Sequence, residues 1–77
     1  MAKVFQLARE DIRLDALLKE AGIASSGGEA KHLIQSGQVR VDGAVELRRS
    51  TRLGPGMTVR VGPHELRLAG PPASPTP

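Results

Sequence analysis

The fold of this chain is decided by one stretch of sequence, Ser25-Ser-Gly-Gly-Glu-Ala-Lys-His-Leu-Ile-Gln-Ser-Gly-Gln-Val-Arg-Val-Asp-Gly43. Ser26 and Glu29 have the spacing of a capping box, in which each side chain accepts a hydrogen bond from an unpaired amide at the start of a helix. Gly37 can adopt the left-handed conformation that ends a helix, and Asp42-Gly43 is typical of a two-residue hairpin turn. The stretch therefore predicts a capped helix, a short strand and a tight turn.

The apolar residues of this stretch indicate which of its faces are buried. Ala30, Leu33 and Ile34 recur at helical spacing and form one apolar face. Val39 and Val41 alternate with a polar residue, as in a strand with one buried face. We expect Leu33 to be a core residue, whose truncation to alanine costs about 2–5 kcal/mol.

Upstream of this stretch the sequence predicts a second helix and a strand. Apolar residues at helical spacing indicate a helix over residues 9–21, with Asp11 as its cap and Gly22 as its stop. A short strand is expected within residues 3–7. The link Ile23-Ala24 is so short that the two helices should pack against each other at an angle.

Downstream, alternating segments separated by turn residues predict the rest of a sheet. A return strand is expected over 44–47, a turn over 53–56, and a second hairpin from 58–61 and 65–69. The fold class is therefore α+β, with two packed helices against a small, mostly antiparallel sheet of three to five strands. Residues 1–69 form one domain in this interpretation, and the proline-rich residues 70–77 form a disordered tail.

Length and composition exclude several classes of protein. A chain of 77 residues allows a single modest core and little else. It contains no cysteine, so a disulfide framework and thiolate metal sites are excluded and a cytosolic location fits best. No segment approaches the ~20 apolar residues of a membrane span, so we expect a soluble protein that is neither exported nor inserted. No cofactor or metal site is predicted.

The charge balance favours an anionic partner. The chain has eleven Lys and Arg residues and eight Asp and Glu residues, which gives a formal net charge of +3 and a sequence pI near 10.2. Phe5 is the only aromatic residue, so rows of stacked bases are excluded as a mode of binding. A nucleic-acid partner would have to be recognised through its shape and phosphates.

Two features form a candidate phosphate site. The small residues 25–28 leave the amides at the start of the second helix accessible to a phosphate, although simple capping of the helix is the commoner explanation of such residues. Arg40 and the dense positive segment 48–52 are expected to converge beside that helix start, unless the segment is an ordinary solvated loop. Arg13 lies near the start of the first helix, where a cation opposes the helix dipole, and this hints at a functional use.

An enzymatic function has little support in the sequence. His32 and His64 are the only histidines, and neither has a serine or carboxylate partner at a motif spacing. Catalysis through His32 or His64 is therefore the weakest of three functional hypotheses, after RNA binding and protein docking.

The chain resembles the S-four domain, the RNA-binding domain named for ribosomal small-subunit protein four, whose core is the alpha-L motif. The resemblance spans residues 13–61 and its most specific part is residues 30–43. It is carried in order by Arg13-Leu-Asp15, Leu17, Leu18, Lys19, Ala24-Ser-Ser26, Glu29-Ala-Lys31, Leu33-Ile34, Gly37-Gln-Val-Arg-Val-Asp-Gly43, Leu53, Gly56 and Val59.

The chain departs from the family pattern at two places. Gly27-Gly28 stands where the family usually has an arginine, which removes one expected RNA contact. Met57 replaces a usual acidic residue, a change that we expect to be neutral for binding. The glycine variant and the short length are similar to the stand-alone YbcJ-like branch of the family.

The resemblance implies a non-catalytic, monomeric, cytoplasmic and ribosome-associated protein that binds structured RNA, such as ribosomal or tRNA-like RNA. Recognition is expected through phosphates and 2′-hydroxyl groups. The alternative is a protein–protein adaptor that docks on a ribosome-associated factor, whose binding would depend only weakly on salt. Carried over residue by residue, the expected RNA contacts are Arg13, Ser26, Lys31, Gln38, Arg40, Gly43, Arg48 and Arg49.

Overall fold

The computed structural model describes residues 3–70 as two helices packed against a sheet, which confirms the predicted α+β class. The helices are α1 (Leu14–Glu20) and α2 (Gly27–Gln35). The strands are β1 (Lys3–Gln6), β2 (Ile12–Arg13), β3 (Val39–Val41), β4 (Ala44–Val45), β5 (Arg52–Leu53), β6 (Thr58–Val61) and β7 (His64–Ala69). The tail predicted over 70–77 lies outside the described residues, apart from Gly70.

The strands form one larger and one smaller sheet. The larger sheet has five strands in the order β1-β7-β6-β3-β4, and only the pairing of β1 with β7 is parallel. The mostly antiparallel sheet of three to five strands is thus confirmed. The smaller sheet pairs β2 with β5 antiparallel, and the sequence did not predict it.

The core lies between the helices and the inner face of the five-stranded sheet. Its buried side chains come from both helices and from strands β3, β5, β6 and β7. Ile34 is fully buried, whereas the neighbouring Leu33 is only half-buried and packs against the edge of the core. Successive residues of a helix point about 100° apart, so only one of the two can face the centre of the core. Leu33 is therefore not the central core residue that the sequence suggested.

Helix α1 begins at Leu14, five residues later than predicted. Ile12 and Arg13 are extended because they pair with Leu53 and Arg52 across the small sheet. The predicted cap Asp11 is wrong, since the N-cap residue is Arg13, whose own side chain makes no capping hydrogen bond. Within residues 3–70, neither helix is long and apolar enough to cross a membrane.

Helix α2 starts and stops where the sequence predicted. Ser26 Oγ accepts a hydrogen bond from the amide of Glu29 at 3.2 Å, which is half of the predicted capping box. The Glu29 carboxylate instead accepts the hydroxyl of Ser25 at 2.7 Å. At the other end Gly37 has φ +81°, and the amides of Gly37 and Gln38 donate to carbonyls of the last helical turn. This closing motif directs the chain straight into β3.

The positive φ of Gly37 allows a stability prediction with an internal control. An added Cβ at Gly37 or at Gly27 meets no atom within 4 Å, so steric clashes do not distinguish the two positions. Gly37→Ala should cost about 1–2 kcal/mol, because a side chain disfavours the left-handed conformation. Gly27→Ala, at the first helical residue, should be neutral or stabilising by up to about 1 kcal/mol. Urea unfolding of both variants checks this, and equal stabilities would contradict it.

The β3–β4 hairpin has the predicted two-residue turn. Val41 pairs with Ala44, and the two residues between them, Asp42 and Gly43, have φ +51° and +87°. Positive φ at both positions is the signature of a type I′ turn, which matches the twist of paired strands. The turn therefore sits rigidly at the end of β3.

Candidate nucleic-acid interface

The basic loop of residues 48–51 is fixed to the start of α1 by its backbone. The carbonyl of Thr51 accepts the amide of Leu14 at 2.9 Å, and that of Arg49 accepts the amide of Asp15 at 3.1 Å. Free amides at a helix start need such partners, and here loop carbonyls supply them in place of a side-chain cap. The backbone of the loop therefore lies against the start of α1, which is next to Arg13 in sequence. We name Arg13, Arg48 and Arg49 the α1-start cluster.

Within the α1-start cluster, Arg13 differs from the two loop arginines in its ion pairing. Asp15 holds the Arg13 guanidinium at two points, Nε to Oδ1 at 3.2 Å and Nη2 to Oδ2 at 3.1 Å. The cation that seemed misplaced at the helix start is thus compensated by an acidic residue of the first turn, a partner that the sequence analysis did not identify. Arg48 and Arg49 are exposed and have no ion pair within residues 3–70.

Arg52, at the end of the same basic segment, forms an ion pair with Asp11. Its Nη1 lies 3.0 Å from Oδ1 of Asp11, the residue just before β2. Asp11 thus forms an exposed ion pair with a residue of β5 instead of capping the helix. In the part of the chain that the structure describes, the two arginines of this segment without an ion pair are therefore Arg48 and Arg49.

The expected contacts on α2 lie at opposite ends of that helix. Ser26 uses its hydroxyl to cap the helix, and Lys31 is exposed. Gln38 follows the last turn, where its Nε2 donates to Ser36 Oγ at 2.7 Å. Nine helical residues span about 13 Å, so Ser26 and Gln38 cannot contact the same phosphate. The open backbone at Gly27 and Gly28 leaves the helix start unobstructed.

Arg40 and Gly43 belong to the other side of the sheet. Val39 is fully buried against the helices, so alternation along β3 directs Arg40 to the opposite, solvent-facing side. There Arg40 and Gly43 line a concave surface together with Arg60. The predicted convergence of Arg40 with the loop arginines beside α2 is therefore wrong. The eight expected contacts form separate groups instead of one surface.

The two histidines do not form a common site. His32 lies on α2, His64 opens β7, and both are exposed. Within residues 3–70, no group of three His, Cys, Asp or Glu residues is arranged to hold a metal ion.

Two helices packed on a mixed sheet are the architecture that the resemblance to the S-four domain implied. The chain belongs to the S4 domain family, which matches residues 5–69. The resemblance inferred from the sequence is thereby confirmed.

Individual relatives agree with this assignment. The chain is 42% identical over 57 residues to the protein YbcJ of Escherichia coli (strain K12), covering 74% of this chain and 81% of YbcJ, and YbcJ is named as an RNA-binding protein. The solution structure of E. coli YbcJ, described as having an alpha-L motif involved in RNA binding, superposes with a TM-score of 0.67 at 39% identity, covering 86% of this chain and 85% of YbcJ.

A ribosomal protein is also similar over a shorter part of its length. The small ribosomal subunit protein uS4 of Bifidobacterium animalis subsp. lactis (strain AD011) is 40% identical over 53 residues. The match covers 69% of this chain but only 26% of uS4. The shared unit is thus one part of a larger protein in uS4 and most of the chain in YbcJ.

Proposed function

We propose that this protein is a non-catalytic RNA-binding module that recognises structured RNA through phosphate and 2′-hydroxyl contacts. The observation that carries the proposal is the α1-start cluster, in which the backbone of a basic loop is bound to a helix and two guanidinium groups have no ion pair among the described residues 3–70. Residues 1–69 act as one binding unit with its core at 13–61, working as a cytoplasmic monomer.

The α1-start cluster is suited to phosphate binding because it is already ordered. Two backbone hydrogen bonds fix the loop, so an RNA that docks there does not have to order it. Arginine presents a planar fork of donors that matches phosphate oxygens in a bidentate manner. Arg13 adds a third guanidinium whose direction Asp15 sets.

Shape, not base sequence, is the property of RNA that this protein reads. A single aromatic residue does not provide a platform for successive bases, and A-form RNA exposes its 2′-hydroxyls in a wide, shallow minor groove. A ribosomal or tRNA-like helix offers such a surface. The similarity to a ribosomal protein supports this choice of RNA.

The second candidate function is a protein adaptor, and exposed apolar side chains favour it. Val45 and Leu47 are 48% and 56% exposed, just before the basic loop. Such residues can dock on an apolar patch of a ribosome-associated protein, and that contact would depend weakly on salt. The two functions are separable because they use different side chains.

The affinity for a folded RNA hairpin and for its DNA counterpart, each titrated across salt, tests the proposal. With about 4–6 phosphate contacts, the logarithm of the affinity should fall by roughly 3–5 units per tenfold rise in salt. RNA should bind more tightly than DNA, because only RNA presents 2′-hydroxyl groups.

A matched variant separates the adaptor function from RNA binding. Val45→Thr with Leu47→Thr removes the exposed apolar groups and keeps the charge, so the affinity for RNA should stay within about twofold. If the affinity for RNA depended only weakly on salt and were lost in this variant, the apolar side chains would carry the binding. The protein adaptor would then be favoured over recognition of RNA phosphates.

A further inference from the structure

The solvent-facing side of the five-stranded sheet carries a second group of arginines. Arg40, Arg60 and Arg67 lie on three adjacent strands, β3, β6 and β7. Arg60 alternates with the buried Val59 and Val61, and Arg67 with the buried Leu66 and Leu68, so all three arginines project away from the core. We name them the open-face cluster.

The strand register brings two of these charges into direct opposition. Arg40 and Arg60 are cross-strand partners, and like charges at directly opposite positions destabilise a sheet. Only Arg60 is compensated, by Glu65 across the next ladder, with Nη2 and Oε2 3.4 Å apart. Arg40 has no ion pair within residues 3–70. An anion bound between the guanidinium groups of Arg40 and Arg60 would relieve this repulsion.

The surroundings of Arg40 form a shallow cavity that could receive such an anion. Arg40, Arg60 and Thr58 line it, and the glycine of the rigid hairpin turn lies at its rim. Two carboxylates also line the cavity: Glu65 pairs with Arg60, and Asp42 keeps its negative charge while its Oδ1 accepts the amide of Thr58 at 2.9 Å. Arg67 is the cross-strand partner of Thr58 and extends the positive charge along the face.

We propose that the open-face cluster binds the phosphate backbone of a second RNA segment, so that the domain holds two segments on opposite sides of its sheet. This inference rests on the proposed function, because the first segment is the RNA bound at the α1-start cluster. The open-face cluster lies on the side of the sheet away from the core, whereas the loop of the α1-start cluster is bound to a helix on the core side, so one short, stiff RNA helix does not reach both. The partner is RNA because guanidinium forks and a threonine hydroxyl are donors suited to phosphate oxygens.

A capture experiment on the full chain tests the proposal. A biotinylated RNA hairpin is immobilised and saturated with protein, unbound protein is washed away, and a fluorescent hairpin of different sequence is applied. The variant Arg40→Gln/Arg67→Gln leaves the Arg60–Glu65 pair intact, and the variant Arg48→Gln/Arg49→Gln lowers the net charge by the same two units. Thermal unfolding is used to check that both variants are folded.

We expect the wild-type protein to capture the second hairpin. The Arg40→Gln/Arg67→Gln variant should load normally on the first hairpin and capture at least tenfold less of the second. The Arg48→Gln/Arg49→Gln variant should load less protein on the first hairpin, since only the open-face cluster remains to hold it there, and should likewise capture at least tenfold less of the second hairpin. This pattern assigns one RNA segment to each cluster.

Four other outcomes would overturn the proposal. Loading without capture by the wild-type protein, or equal capture by the Arg40→Gln/Arg67→Gln variant, removes the second site and leaves RNA binding intact. Labelled polyglutamate that binds the loaded protein as well as RNA does, and is lost in that variant, assigns the face to an acidic protein. Absence of loading on the first hairpin overturns the proposed function itself.

Discussion

Ile34→Ala is expected to leave the protein largely unfolded at 25 °C. The Ile34 side chain is fully buried where α2 packs into the core. Removing it costs about 2–5 kcal/mol, from lost apolar burial and from the cavity that remains. A single core of this size rarely supplies more than about 3–5 kcal/mol, so one truncation can consume most of the stability. Circular dichroism during thermal and urea unfolding measures the effect.

Leu33→Ala is the matched control for this prediction. It truncates the neighbouring residue of the same helix, and Leu33 is only half-buried. The smaller change in buried area should leave Leu33→Ala folded, with a lower unfolding midpoint than the parent protein. If Ile34→Ala unfolded at the parent's midpoint, or if Leu33→Ala were the less stable variant, the packing of α2 described above would be incorrect.

The parts of the fold that the sequence predicted correctly are those that local interactions determine. The Ser26 cap, the stop at Gly37 and the Asp42-Gly43 turn act within a few residues, and all three occur where expected. The start of α1 is different, because residues 12–13 pair with residues 52–53, which are distant in sequence. Helical periodicity cannot reveal such a pairing, and tertiary contacts override local preference there.

In the candidate interface, too, the local features were predictable and the contacts between distant residues were not. The basic segment 48–52 is visible in the sequence, but its attachment to α1 depends on backbone hydrogen bonds between distant residues. Alternation along β3 predicted that Arg40 lies opposite Val39 and Val41. Which side of the sheet the helices and the basic loop occupy is a property of the topology, so the separation of Arg40 from Arg48 and Arg49 was not predictable.

The variant Arg48→Gln/Arg49→Gln is expected to bind a single RNA hairpin about 10–100-fold more weakly than the parent protein, near 0.1 M salt. Each lost phosphate contact should also lower the steepness of the salt dependence by about 0.9, or about 2 for the pair. The fold should be unaffected, because the hydrogen bonds that fix this loop to α1 use backbone groups that glutamine retains. Fluorescence anisotropy at several salt concentrations measures affinity and slope together.

A control variant separates a localised contact from a general effect of charge. Lys3→Gln/Lys19→Gln also removes two positive charges, but from exposed positions on β1 and α1 that lie outside both arginine clusters. If only the net charge mattered, the two variants would lose equal affinity and equal slope. A site at the α1-start cluster requires instead that the arginine variant loses both and the lysine variant stays within about twofold of the parent. Equal losses would therefore contradict the assignment of RNA binding to Arg48 and Arg49.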